Sequence, residues 1–497
     1  MRNLIAVSGL ALVLGFAASA AAIQSADRYD FTDDQRAAAA ELGDRALNSD
    51  LAWDILESLT TEVGPRLGGS PAEARAREWA VDMLSAQGFS NARIETFEMP
   101  YWTRGDLEVE LTAPFPQSLA ATDLGGSAAT GEDGVEAEIV YFASFDDLAQ
   151  SPGDDSLQGR IAFIDGRMVA AQNGSGYGPA NVKRSLGWLE AQARGAQAVI
   201  IRSVGTDSHR MPHTGTISTP SARSSLSTVA QAYLAEAYPD YLETPVRSQI
   251  PAIAVSGPDA DQIERIHNMG ETMRLRVQSD AGWRGVAESG NVIAEIPGTD
   301  LADEIILIGA HLDSWDEGTG AVDDGAGVAI VTAAARLVAD MGEGPRRTIR
   351  VVLFGAEEVG LLGAFAYARE HADEMGNHVL ASESDFGAGR VWRFSSGVSD
   401  AATPVFDAIG RIVEPYGVVR GDRNANGGGP DIIPLAAAGV PVFRFEQDGS
   451  DYFDLHHTPD DTLDKVDPES LAQNVAVWAT GVYLASEAGV DFRTADE

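Results

Sequence analysis

The chain contains no cysteine among its 497 residues. That excludes disulfides, thiol catalysis, thiolate metal ligands and a lipid-modified N-terminal cysteine. For an exported chain, it fits a bacterial periplasm or exterior better than a disulfide-stapled domain. Basic residues are scarce, with 35 Lys and Arg against 75 Asp and Glu, for a formal charge of −40. Such a molecule repels nucleic acid and anionic lipid surfaces, so neither is expected as a partner. Long apolar runs are missing as well, except near the N terminus. There, Met1-Arg-Asn is followed by an apolar stretch that ends in Ala18-Ser-Ala and Ala20-Ala-Ala. One positive charge, an apolar core and small residues predict a secretory signal over 1–22. An uncleaved N-terminal anchor is the alternative. With the signal removed, no stable membrane association is expected, and the protein is expected to be secreted or periplasmic.

What is present is a globular composition, 44% apolar, in a chain long enough for two lobes. Apolar, β-branched or alternating runs predict strands at 92–97, 107–111, 137–143, 160–164, 196–201, 251–255, 292–296, 305–308, 349–354, 378–382 and 440–445. Helical periodicity marks 31–51, 53–63, 72–87, 182–194, 326–341, 365–370 and 404–416. Strands alternating with helices predict an α/β fold with a mixed, mostly parallel sheet flanked by helices. A Gly/Ala/Ser/Thr-rich stretch at 113–134 reads as a linker. The section after it keeps its own strand and helix rhythm. The expected organisation is therefore 23–114 and 286–497 as two parts of one domain, interrupted by a β-rich inserted lobe at 115–285.

Chemistry-bearing residues gather after the predicted strands. One run ends in His311-Leu-Asp313, and the following loop carries Asp323-Asp324-Gly. The run at 349–354 stops at Gly355 and delivers Glu357-Glu358, and the run at 378–382 leads to Glu383-Ser-Asp385. Past the last strand come Tyr452, His456-His457 and Asp461. In an open α/β sheet, sites form beyond the carboxyl ends of the strands. Imidazole and carboxylate ligands of this kind suit Zn²⁺, and a shared carboxylate can bridge two ions. Each piece also has a bland reading. Glu357 and Glu358, for example, would equally be two solvated acids in the first turn of a helix.

Taken in order, these motifs resemble the M28 family of di-zinc exopeptidases. Asn291-Val-Ile-Ala-Glu-Ile-Pro-Gly298 shares that resemblance. His311-Leu-Asp-Ser-Trp-Asp316 narrows it to the plasma glutamate carboxypeptidase (carboxypeptidase Q) branch, supported by Gly64-Pro-Arg-Leu-Gly-Gly-Ser-Pro71 and Trp102-Thr-Arg-Gly105. The inserted lobe resembles a protease-associated domain through Gly195-Ala-Gln-Ala-Val-Ile-Ile201 and Ile250-Pro-Ala-Ile-Ala-Val-Ser256.

The resemblance implies two zinc ions per chain. His311 and Asp385 would hold one, Glu358 and His457 the other, and Asp323 would bridge them. It makes Glu357 the general base and Asp313 the acceptor that orients His311. The choice of His457 over His456 rests on the His-Thr-x-x-Asp-Thr spacing. Tyr452 is the candidate oxyanion donor, with a packed rim aromatic as the alternative. In the glycine-rich loop Asn424-Ala-Asn-Gly-Gly-Gly-Pro-Asp431, Asp431 is the candidate for binding a substrate amino group. His209 and His213 read as surface residues of a polar loop. The expected activity is hydrolysis of dipeptides or short peptides, and the resemblance also implies a homodimer. Two other readings stand beside it: a glutaminyl-cyclase-like acyltransferase with one zinc, and a catalytically silent peptide-binding protein.

Overall fold

The computed structural model describes residues 28–153, 155–217, 226–239 and 246–493. The expected signal at 1–22 lies outside them. Two eight-stranded sheets organise the described chain. Across the first sheet run Ser90–Thr103, Gly282–Ile296, Arg347–Phe354, Leu301–His311, His378–Glu383, Val442–Gln447, Val391–Gly397 and Val419–Arg420. Its centre is parallel: Leu301–His311 lies between Arg347–Phe354 and His378–Glu383, and His378–Glu383 continues parallel to Val442–Gln447. Antiparallel pairs flank this centre. The sheet is thus mixed, with helices on both faces.

Strand alternation divides the core. Ile306, Ile308, Val351 and Leu353 join the cluster that also contains Ile330 and Trp478, from helices Ala326–Ala339 and Pro468–Glu487. Leu307, Val352 and Phe354 point the other way, into a cluster with Tyr367 and Leu435. All seven strand residues are fully buried, as expected of a parallel centre covered on both sides. Among the described residues, no helix is long and apolar enough to cross a membrane.

The second sheet takes its strands from the chain between Leu107 and Ser279. Its parallel centre is Val135–Phe142, Ile161–Ile164, Ala198–Arg202 and Ala252–Val255. The chain enters this lobe from Ser90–Thr103 and returns through Gly282–Ile296. These two strands pair with each other from Ser90 opposite Glu295 to Thr103 opposite Gly282.

The stretch read as a linker, 113–134, is instead packed structure. It supplies Gln117–Ser118 and Ala121–Asp123 to the second sheet, and Leu124 and Ser127 are buried. Its small residues allow close approach: a Cβ on Gly125 would lie 2.3 Å from the Trp315 ring. Low side-chain volume here marks a packed seam between the lobes.

Candidate metal centre

The site lies beyond the carboxyl ends of the parallel strands. His311 is the last residue of its strand and pairs in register with Phe354, so the neighbouring chain turns beside it. That turn runs through Gly355 and Ala356, the latter at φ +57°, and presents Glu357 and Glu358. The following helix, Leu362–Glu370, starts only after Gly360 and Leu361, both at positive φ. The two glutamates therefore precede the helix, and Glu358 is buried. Gly309 pairs with Glu383, which brings Asp385 alongside. Tyr452–Leu455 forms a short helix that leads to His456 and His457.

Asp323 stands at the middle. Its Oδ1 lies 3.0 Å from His311 Nε2, which is also 3.6 Å from Asp385 Oδ1. Its Oδ2 lies 3.3 Å from His457 Nε2, which is 3.0 Å from Glu358 Oε2. One carboxylate is thus shared between a His311–Asp385 set and a His457–Glu358 set. The ring of His456 stacks on that of His457 at 3.5 Å, and its Nε2 is 3.6 Å from Asp323 Oδ2. Among the described residues, two triads have ligand atoms close enough to hold a cation: His311, Asp323 and Asp385, and Asp323, His456 and His457.

A hydrogen bond to the far ring nitrogen sets the His311 tautomer. Its Nδ1 is 2.9 Å from the Asp313 carbonyl, which only accepts, so Nδ1 carries a proton and Nε2 faces the carboxylates. His457 Nδ1 lies between the Thr214 carbonyl, at 3.3 Å, and the Arg184 guanidinium, at 3.4 Å, and its Nε2 faces Asp323 and Glu358.

The electrostatics suit a divalent cation. Burial would lower His311, but its hydrogen bonds to Asp323 and Asp385 outweigh that and raise it well above the usual range. His457 is raised to about 9, because Glu358 and Asp323 overcome its burial. Burial pushes Glu357 up, with Asp385 and Glu358 adding to the effect. Burial also takes Asp313 to about 6, Asp461 to about 7 and Glu383 to about 8. Asp323 moves the other way: hydrogen bonds to His311 and His457 outweigh burial and hold it low. Buried carboxylates around two correctly oriented imidazoles form a donor set that zinc fits.

Beside the cluster opens a cavity of about 550 Å³. Glu357, Asp385 and Tyr452 line it from the first lobe, and Tyr177 and Arg184 from the second.

Comparisons with known proteins place this geometry. The profile of peptidase family M28 matches residues 291–482. Mouse carboxypeptidase Q is 31% identical over 88% of this chain and 86% of its own length. The chain belongs to peptidase family M28. Membership makes it a metallopeptidase. The crystal structure of a peptidase M28 precursor from Shewanella amazonensis is 46% identical, covers 93% of this chain and 98% of its own, and superposes with a TM-score of 0.85. Aminopeptidase YwaD of Bacillus subtilis is 22% identical over 87% of this chain and 84% of its own length.

In this M28 peptidase, His311, Asp323, Glu358, Asp385 and His457 come together as one cluster, with Glu357 on the cavity wall. Tyr452 also lines the cavity, its ring 4.8 Å from Phe386 and 5.1 Å from His456. Asp313 accepts from the far ring nitrogen of His311 through its backbone carbonyl, and its carboxylate accepts from the amides of Glu357, at 3.0 Å, and Glu358, at 3.4 Å. Two expectations need correction. Asp431 does not reach the cavity. It is fully buried beneath the site, and its amide donates to Glu383 Oε2 at 2.8 Å, so no substrate amine can meet it. His213 is buried, bridging the His456 carbonyl and Asp207 at 2.7 Å each, whereas His209 is exposed as expected.

Several residues that support the cluster carried no role in the sequence reading. Asp461 accepts from the amides of Val322, at 2.6 Å, and Asp323, at 3.1 Å, which fixes the loop that carries Asp323. Asp324 accepts from the His311 amide at 3.2 Å and is joined to Asp323 by a cis peptide. Arg66, fully buried, donates to the carbonyls of Leu312, Thr319 and Gly320 at 2.5, 2.6 and 2.9 Å. The signal available for it was its place inside Gly64-Pro-Arg-Leu-Gly-Gly.

Proposed function

We propose that this chain is an exported exopeptidase that holds two zinc ions and hydrolyses dipeptides or short peptides. The observation that carries the reading is the Asp323 carboxylate, shared between His311–Asp385 and His457–Glu358 beside Glu357. His311, Asp323 and Asp385 would hold one ion, and Asp323, Glu358 and His457 the other. Zinc held there supplies Lewis-acid chemistry, polarising the scissile carbonyl and making water nucleophilic near neutral pH.

The chain's own groups do the rest. Glu357 lies on the cavity wall between both ligand sets, and as a carboxylate it takes the proton of the attacking water. Burial raises its proton affinity, and the protonated acid then serves the leaving amine. Tyr452 is kept protonated by burial and by the charges of Asp323 and Asp385, as a donor to the oxyanion must be. The second lobe, assigned at 115–285 as a protease-associated domain, closes the other side of the cavity with Tyr177 and Arg184. A cavity walled from both sides suits short chains.

The test uses zinc-loaded protein with unblocked dipeptides and their N-acetylated counterparts. Cleavage of the free forms only identifies a site that reads the α-amino group; cleavage of both identifies carboxypeptidase action. Two bound zinc ions with no cleavage of either set would overturn the reading in favour of a silent binding protein. One zinc per chain would favour the acyltransferase.

A further inference from the structure

His457 sits at φ +63°, a left-handed conformation that costs energy in any residue with a side chain. It follows Tyr452–Leu455, a helix of four residues, which supplies little of the restraint that such a backbone needs.

The second lobe supplies it. Its segment 206–214 runs along 453–457 and bonds to it repeatedly. The Thr206 amide donates to the Phe453 carbonyl at 3.0 Å, and the Thr206 hydroxyl to Asp454 Oδ1 at 2.6 Å. His213 Nδ1 donates to the His456 carbonyl at 2.7 Å. The Thr214 amide donates to the His457 carbonyl at 3.0 Å, and the Thr214 carbonyl lies 3.3 Å from His457 Nδ1. Backbone and ring of His457 are thus both tied to the other lobe.

Within this clasp the His213 ring is itself held from several sides. It is fully buried, and its Nε2 meets Asp207 Oδ1 at 2.7 Å. Asp207 is buried too, and its Oδ2 accepts from the His209 amide at 2.7 Å. A Cβ on Gly205 would fall 2.2 Å from His213 Nε2, so the glycine lets the ring lie against the backbone. A carboxylate that fixes an imidazole, which then fixes a carbonyl beside a metal ligand, is the kind of support that orients ligands. His311, by contrast, bonds to Asp313, Asp323 and Asp324, all in the first lobe.

We propose that Asp207 and His213 are positioning residues that set His457 for its metal ion, so that the second lobe completes one of the two metal positions. The inference rests on the two-zinc reading of the same site. It makes the position of His457 and Glu358 dependent on the clasp, and leaves the position of His311 and Asp385 independent of it.

The experiment titrates zinc into chelated full chain and resolves the two affinities in wild type, His213→Ala, His213→Asn and Asp207→Asn. Glu358→Gln, which removes a ligand, marks which affinity belongs to the His457 position. His213→Ala should weaken that affinity about 10- to 100-fold and leave the other unchanged, a selectivity that a merely structural role would not produce. His213→Asn offers an amide N–H near the place of Nδ1 and should recover most of the loss. Should His213→Ala fail to fold, Asp207→Asn decides: it keeps the ring, loosens its hold, and should weaken the same affinity by less. Two affinities that fall together, or that both stay unchanged, overturn the inference and leave the two-zinc reading standing. One ion per wild-type chain refutes the two-zinc reading instead. Loss of that ion's affinity in His213→Ala with recovery in His213→Asn then still upholds the positioning role, and an unchanged affinity overturns it.

Discussion

The two sheets use the same device to opposite ends. Each has a parallel centre, and each gathers charged groups where its parallel strands finish. In the second sheet, Asp165 follows Ile161–Ile164 and Arg202 ends Ala198–Arg202, and the two form a buried ion pair. Arg202 also reaches Asp261 at 2.7 Å, and Tyr141 donates to Asp165 at 2.6 Å. Burial would raise Asp165, but the Arg202 and Tyr141 hydrogen bonds outweigh it and hold it low. In the first sheet, the strand ends carry carboxylates and imidazoles, while Arg66 bonds to backbone carbonyls instead of to the carboxylates. There, Glu357 and Asp324 are driven up by burial. A strand-end cluster that neutralises itself is structural. One that leaves excess negative charge in a buried place calls for an external cation.

Breaking each cluster should therefore have different consequences. Glu357→Gln removes a proton carrier and no ligand, so turnover should fall about 10²- to 10⁴-fold with zinc content unchanged, as read by steady-state kinetics and elemental analysis. In the second sheet, Asp165→Ala removes the buried partner of Arg202 and leaves it Asp261. The expected cost is about 1–3 kcal/mol of stability by denaturant titration, with zinc content again unchanged. Asp461→Asn weakens the hold on the Asp323 loop without removing a ligand. Zinc affinity should drop about 10- to 100-fold by competition with a chelator.

The smallest effect is in pH dependence, and it sharpens the contrast most. In chelated protein, the raised groups of the first sheet include Asp313 near 6, Asp461 near 7, Glu383 near 8 and His457 near 9. A group whose folded pKa lies above its unfolded value stabilises fully below the unfolded value and loses that contribution as pH rises through the folded one. The melting temperature of chelated protein should thus decline from about pH 4 towards about pH 9, and zinc should reverse the decline. Asp165, held low, contributes in the opposite sense: its stabilisation is present above the ordinary carboxylate range and is lost in acid. An Asp165→Ala variant should keep the alkaline decline and lose part of the acid one.

Much of the first sheet could be read from the sequence, because buried parallel strands are continuous apolar runs and each ends at a polar residue. His311, Glu357, Glu358 and Asp385 were identifiable that way, and the family's motifs suggest a role for each. What sequence could not reveal depends on distant carbonyls and on depth. Arg66 bonds to carbonyls some 250 positions away, and His213 holds the carbonyl of His456 across the two lobes. Asp431 follows a glycine-rich run that reads as a pocket-lining loop, yet its side chain is fully buried. The 113–134 stretch misleads for a related reason. Small residues are common to flexible linkers and to tightly packed seams, and contacts such as the Trp315 ring against Gly125 distinguish them.

The central claim is that one carboxylate, Asp323, serves two metal positions. The direct test is zinc stoichiometry of wild type and Asp323→Asn by titration after chelation. Two ions per wild-type chain, with both affinities weakened in the variant, is the predicted result. One ion per wild-type chain, or a variant that binds two ions as tightly as wild type, would contradict it.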